Sequence, residues 1–240
     1  MDGLYRSSFY PSIHFFANPF KTLELRALFK PVAFNRHDMA LDIGSGLGLQ
    51  TSIIATRVGR VIGIDVSDNA VNRAKSEQYL MQGRGEVEFL CASIEEAGFA
   101  DNSFDKIFSI CVLEHIPDYQ SVIRHCHRVL KPGGKMAFSI DSLATVNPEA
   151  VARHKERYAV CRYFQKEEIK KDFEAAGFNN VIVKPLAVSR LAARWFAEGI
   201  EREFIYRYSE AWFKFQILRV VEFFTPRRDK GIYLLVWASK

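Results

Sequence analysis

The chain has few cysteines, and none falls in a pattern. Cys91, Cys111, Cys126 and Cys161 are scattered, with no C-x-x-C pair and no disulfide-framework spacing. That excludes a disulfide-stapled secreted scaffold and fits reduced thiols in a cytoplasmic protein. No apolar run approaches the roughly 18 residues that a membrane span needs, and neither end reads as a signal peptide. Repeats and low-complexity stretches are absent. Nor does charge of one sign dominate: 33 Lys and Arg stand against 28 Asp and Glu, a net charge of +5. That balance permits an acidic substrate, a nucleic acid or an anionic surface and selects none of them. At 240 residues and 48% hydrophobic, the chain can bury a full core as one α/β domain with modest additions.

Strand-like and helix-like segments alternate through the middle, the pattern of a parallel sheet wrapped by helices. The predicted strands are DMALDI, RVIGID, VEFLC, FDKIFSI, GKMAFSI, NVIVKP and IYLLVWA. Ser67 has the chemistry of a helix N-cap, Pro132-Gly133-Gly134 reads as a turn opening the fifth strand, and Gly177 reads as a helix C-cap.

The first predicted strand ends in ALDIGSGLGLQT, residues 40–51. Gly44, Gly46 and Gly48 turn the chain sharply into a helix and leave no Cβ between the backbone and a ligand lying across the turn. About 20 residues later the second strand ends in Asp65, placed to accept hydrogen bonds from a ribose. A nucleoside-bearing ligand across the tips of these strands is expected. The spacing is G-x-G-x-G rather than the dinucleotide G-x-G-x-x-G, and Asp42 stands two residues before the first glycine. A pyrophosphate disfavours such a carboxylate, whereas a cationic or zwitterionic ligand suits it.

With this turn and VIGIDVSDNAV come FLCASIEEAGFADNSFDKIFS, CVLEHIPD, HRVLKPGGKMAFS and EEIKKDFEAAGFNNV, in that order. In these motifs the chain resembles the class I S-adenosylmethionine-dependent methyltransferases, particularly the small-molecule, type 11-like branch. The resemblance runs from about residue 38 to residue 184, with a closing strand at 231–239. It implies a Rossmann-like, seven-stranded, mostly parallel α/β sheet whose last strand is antiparallel, with helices on both faces. It also implies S-adenosyl-L-methionine as cofactor. Backbone around Ile43, Gly44, Ser45, Gly46 and Gly48 would pack on its methionine and ribose part, and Asp42 would face the ammonium. Asp65 would hold the ribose hydroxyls, with Val66 on the adenine face. Ser93 and Ile94 occupy the adenine-edge position, where the family often has Asp first. Cys111 and Val112 would line the sulfonium side.

Glu114-His115 follows the fourth strand in the loop that faces the methyl group in this fold. His115 is suited to act as general base, and the alternative is a packing role for the pair. Asp141, past the fifth strand, is a secondary candidate for orienting the acceptor. A relative of this pattern binds a divalent metal through Glu-x-x-Glu-His; Cys111 stands at the first Glu position here, so no metal is expected. His125 and His127, two apart on a helix, point to different faces and cannot share an ion.

The expected organisation is an N-terminal cap segment over 1–37 and a methyltransferase domain over 38–240, with a helical insert at about 186–228. Both additions are rich in aromatics: Tyr5, Phe9, Tyr10, Phe15, Phe16, Phe20, Phe29 and Phe34 in the first, Trp195, Phe196, Phe204, Tyr206, Tyr208, Trp212, Phe213, Phe215, Phe223 and Phe224 in the second. In this fold such segments form the lid over a small-molecule acceptor, so the rings point to a flat or long apolar one; the alternative is that they pack helices onto the sheet. The mix of Arg and Lys with Trp and Phe over 189–230 is also that of interfacial helices, which points to peripheral membrane contact. No nucleic-acid partner is expected, since the cations are spread among acids. Methylation of RNA or protein, and a non-catalytic module that keeps the cofactor site, stay open as alternatives.

Overall fold

A computed structural model describes residues 17–78, 85–226 and 228–240. Tyr5, Phe9, Tyr10, Phe15 and Phe16 therefore lie outside the described residues. In chain order the elements are α1 (Pro19–Phe29), β1 (Met39–Ile43), α2 (Leu49–Ala55), β2 (Arg60–Asp65), α3 (Asp68–Glu77), β3 (Glu86–Cys91) and β4 (Phe104–Ile110). They continue with α4 (Tyr119–Val129), β5 (Leu130–Asp141), α5 (Pro148–Arg157), α6 (Lys166–Ala175), β6 (Asn179–Leu186), α7 (Arg190–Glu201), α8 (Tyr208–Phe224) and β7 (Tyr233–Ser239).

The seven strands form one sheet in the order β3-β2-β1-β4-β5-β7-β6. β1 to β5 run parallel, and β7 enters antiparallel between β5 and β6. The near-continuous apolar runs of the central strands suit burial on both faces. Chain order reverses between β1 and β4, and in an open α/β sheet that reversal opens a crevice beyond the carboxyl ends of the strands.

Local chemistry sets the helix ends. Ser67 Oγ accepts the Ala70 amide at the start of α3, and Gly177, at φ +97°, follows α6 in the left-handed region. Pro132-Gly133-Gly134 is absorbed into the start of β5 instead of forming a separate turn. The β4–β5 register shifts there, between Phe104 and Lys106, and Gly133 takes φ +77°.

One face of the sheet packs against α4 and α6 through Ile123, Phe138, Ile169 and Phe173, all buried. The other packs against α1 and α2 through Leu28, Phe29, Ile54 and Phe108. A third cluster joins α1 to α5, α7 and α8 through Phe20, Ala150, Phe196, Phe215 and Tyr233. The aromatic segments therefore divide: Phe20, Phe29, Phe196 and Phe215 are buried, while Tyr208, Trp212, Phe213, Phe223 and Phe224 are exposed. No helix among the described residues is long and apolar enough to cross a membrane.

Candidate active site

The chain leaves β1 through three glycines, all in the left-handed region: Gly44 at φ +69°, Gly46 at +52° and Gly48 at +81°. The amides of Gly44 and Ser45 both donate to the Ile64 carbonyl, at 2.8 and 2.9 Å, which fastens the turn to β2. A Cβ on Gly44 would sit 2.3 Å from Val112 Cγ2, so only glycine lets the turn approach the end of β4. Above this turn lies a cavity of about 500 Å³, within the range of roughly 300–1,000 Å³ usual for small-molecule sites.

The tips of four parallel strands line that cavity: Ile43, Gly44, Ser45 and Gly46, then Asp65 and Val66, then Ser93 and Ile94, then Cys111 and Val112. Asp65 is held at the wall by the Gly46 amide on one carboxylate oxygen and the Ser67 amide on the other, each at 2.9 Å. Val66 is 61% exposed, an apolar surface open to a planar ring. A closely approachable turn, a fixed carboxylate and a free apolar face fit a nucleoside with a short zwitterionic arm.

Two of the predicted cofactor contacts sit elsewhere, and a third is already engaged. Asp42 points beneath the turn: it is fully buried, accepts a 2.6 Å hydrogen bond from Thr51 Oγ1, and does not line the cavity. Burial raises its pKa to about 7, Thr51 pulling down and the Asp65 charge pushing up. Gly48 is the N-cap position of α2 and shapes the turn without reaching the cavity wall. Ser93 lines the cavity, but its hydroxyl is bound to Glu96 at 3.0 Å.

A second chamber of about 310 Å³ opens beside the first, and Asn18, Lys21, Cys111 and His115 line both. Asp141, His154, Tyr158, Phe196, Glu203, Phe204 and Tyr233 complete its wall. Asp141 Oδ2 lies 3.6 Å from His154 Nε2, and His154 Nδ1 lies 3.0 Å from the Tyr163 hydroxyl. Burial raises Asp141 to about 6, the Lys21 charge opposing. Burial, with His115 and Lys21 nearby, depresses His154 to about 4. Burial likewise holds His115 below the ordinary imidazole value, the main chain at Ala159 pulling the other way. At neutral pH both imidazoles are uncharged bases.

Glu114 does not share this exposure to the chambers. Its side chain is fully buried, and neither carboxyl oxygen bonds to another described residue. Burial and the Asp141 charge push its pKa well up. Its backbone carbonyl does work for the site by accepting the Cys161 amide at 2.8 Å, which pins the loop beside His115.

Apart from Cys111, the join between the chambers is built by residues that sequence reasoning missed. Lys21 Nζ donates to Cys111 Sγ at 2.9 Å and pairs with Glu24 at 2.9 Å. The Cys111 thiol donates to Glu24 at 3.0 Å, and Ser139 Oγ also bonds to Glu24. Burial and the Glu24 carboxylate keep Cys111 a neutral thiol. Cys111 itself sits at φ +54°, an uncommon backbone state for a non-glycine residue. That strain was not readable from the sequence, nor was the arrival of α1 or of His154 on α5. Ligand atoms of Cys111, Glu114 and Asp141 fall within 4.8 Å of one another, a spacing a metal ion could bridge. The Lys21 ammonium on Cys111 makes that set a poor fit for a cation.

Residues 41–138 match the family described as "Methyltransferase domain". An O-methyltransferase, rstn1, from Aspergillus nomiae is 32% identical over 147 residues, covering 60% of this chain and 65% of that one. The ubiquinone biosynthesis O-methyltransferase of Idiomarina loihiensis is 36% identical over 100 residues, covering 41% of this chain and 40% of that one. The arsenite methyltransferase of Mus musculus is 36% identical over 133 residues, covering 50% of this chain and 35% of that one. The chain thus spans less than two thirds of the length of each of these relatives. Among solved structures, Haemonchus contortus phosphoethanolamine N-methyltransferase 2, in complex with S-adenosyl-L-methionine, superposes with a TM-score of 0.68 at 21% identity, covering 100% of this chain and 59% of that one. The [4+2]-cyclase SpnF superposes with a TM-score of 0.61 at 20% identity, covering 92% of this chain and 80% of that one. The fold therefore hosts more than one chemistry, and function has to be argued from the site.

Proposed function

We propose that this chain, which carries a class I S-adenosylmethionine-dependent methyltransferase domain over residues 41–138, methylates a hydroxyl on a small apolar or aromatic acceptor. The observation that supports this reading is the pair of joined chambers with His115 on the wall of both. When bound, the cofactor supplies a methyl group already activated on a sulfonium. The protein's task is then alignment and exclusion of water.

In this reading Asp65 binds the ribose hydroxyls, Val66 covers one adenine face, and the backbone of Gly44 to Gly46 closes on the methionine arm. Phe196, Tyr158 and Tyr233 give the second chamber apolar walls that suit a flat ring. Uncharged His115 accepts the proton from the acceptor hydroxyl as it is consumed. The Lys21 ammonium beside it favours the developing oxyanion, and Asp141 with His154 orients the far side of the acceptor.

The test is calorimetric titration of the folded chain with S-adenosylmethionine and its demethylated product. Both should bind, and Asp65→Ala should weaken each by roughly 2 kcal/mol or more, as loss of charge-assisted hydrogen bonds does. Incubation with methyl-labelled cofactor and an organic-solvent extract of cells, read by mass spectrometry, should then place the label on an oxygen of an apolar metabolite. Folded protein that binds neither compound would overturn the assignment.

A further inference from the structure

Helix α8 is apolar on both sides, and one side has no partner among the described residues. Ala211, Phe215 and Leu218 face inward and are buried. Tyr208, Trp212, Phe213, Val220, Phe223 and Phe224 are between 54% and 81% exposed. At about 100° per residue these six fall within the outer half of the helix, where Ser209, Gln216 and Arg219 are the polar neighbours. A helix that is apolar all round belongs in an interior, and a contiguous aromatic patch of this kind marks an interaction surface.

The charges around the patch are one-sided. Glu210 is held by both terminal nitrogens of Arg202, at 2.7 and 3.0 Å. Glu222 turns inward and accepts the amides of Val188 and Ser189 at 2.7 and 3.0 Å, and Asp229 pairs with Lys166 at 2.8 Å. Arg207, Arg219, Arg228 and Lys230, by contrast, pair with no carboxylate among the described residues. The face therefore offers aromatic side chains and uncompensated cations, with its acids already engaged.

We propose that the outer face of α8, with its flanking cations, docks the protein on an anionic phospholipid bilayer. The helix lies flat, about 25 Å long, with Trp212, Phe223 and Phe224 entering the boundary between headgroups and acyl chains. Arg219, Arg228 and Lys230 meet the anionic headgroups. A second copy of this chain is a weaker fit, because a two-fold contact on this face brings Arg219 and its neighbouring cations against their own images with no free carboxylate between them. The inner side of α8 packs with α1, the helix that carries Lys21 between the two chambers.

The experiment is vesicle flotation of the full chain. Phosphatidylcholine vesicles containing phosphatidylserine should carry the protein up the gradient, pure phosphatidylcholine should carry much less, and 0.5 M salt, about a 4 Å screening length, should weaken the anionic binding. The variant Trp212→Ser, Phe223→Ser, Phe224→Ser should bind at least about tenfold more weakly, as should Arg219→Ser, Arg228→Ser, Lys230→Ser. Circular dichroism and cofactor titration should show both variants folded. Absence of binding to anionic vesicles, or equal binding by the aromatic variant, overturns the proposal. So does a chain that does not float but sediments as a dimer which the aromatic variant dissolves. Since the readout is lipid binding, either result leaves the methyl-transfer reading standing or falling on its own test.

Discussion

Lys21 Nζ lies 2.9 Å from Cys111 Sγ, so the first helix closes the tip of the fourth strand at the point where the two chambers meet. The ammonium is also the partner of Glu24, whose side chain is completely buried. Removing one member of a buried pair leaves the other charge uncompensated. Lys21→Met should therefore cost about 3 kcal/mol in urea unfolding. Glu24→Gln placed in the same chain should return part of that loss, because the remaining amide is neutral and still accepts from Ser139. Equal stability of the single and double variants would show that the pair is not coupled.

Gly44 makes a sharper case because two effects act on one atom. Alanine there meets the Val112 side chain at 2.3, 3.0 and 3.2 Å and must hold φ +69°. Gly44→Ala should lower cofactor affinity by at least about tenfold and cost roughly 2 kcal/mol of stability. Adding Val112→Ala removes the clash and leaves the backbone strain, so calorimetry should show partial and not full recovery.

Much of this architecture was readable in advance, for identifiable reasons. All seven strands carried apolar runs bounded by turns, and a glycine-rich turn between strand and helix has few structural explanations. Side-chain direction at the end of β1 was another matter. Asp42 and Asp65 each end or nearly end a buried strand, yet one points under the turn and the other into the cavity. What separates them is a hydrogen bond from Thr51 and two backbone amides on Asp65, which a one-dimensional pattern does not contain. Lys21, Glu24 and His154 were hidden more deeply. Each comes from a helix that looks like ordinary surface or core packing until the fold brings it to the strand tips.

The buried position of Asp42 has a measurable consequence in pH. Its carboxyl keeps a proton up to about 7 in the folded chain, well above the ordinary aspartate value of 3.8. The native state therefore binds more protons than the unfolded state between those limits, and stability falls as pH rises through them. Asp42→Asn keeps an acceptor for Thr51 and removes the titration. Urea unfolding should show the native chain losing more stability between pH 4 and pH 7 than the variant, by a few kcal/mol, the loss that remains in the variant coming from the other raised carboxyls, Asp141 and Glu114. Cofactor affinity should change far less than in Asp65→Ala, since only Asp65 lines the cavity. A large loss of affinity in Asp42→Asn would restore the carboxylate to a direct contact.

The chemistry proposed for His115 can be separated from a packing role by its pH signature. Burial keeps the ring unprotonated at neutral pH, so it is ready to accept a proton. Methyl transfer should be level through neutrality and fall on the acid side as His115 takes up its proton, below the ordinary imidazole value. Asp141, at about 6, titrates in the same region, so the part of the limb that His115→Phe removes is the part that belongs to the imidazole. His115→Phe should lower kcat by about 100-fold or more, leave cofactor affinity unchanged and flatten whatever acid limb remains. His154→Phe should raise KM for the acceptor and keep the limb. If His115→Phe loses cofactor affinity and stability along with rate, the ring is a packing element of the loop, and the proton leaves by another route.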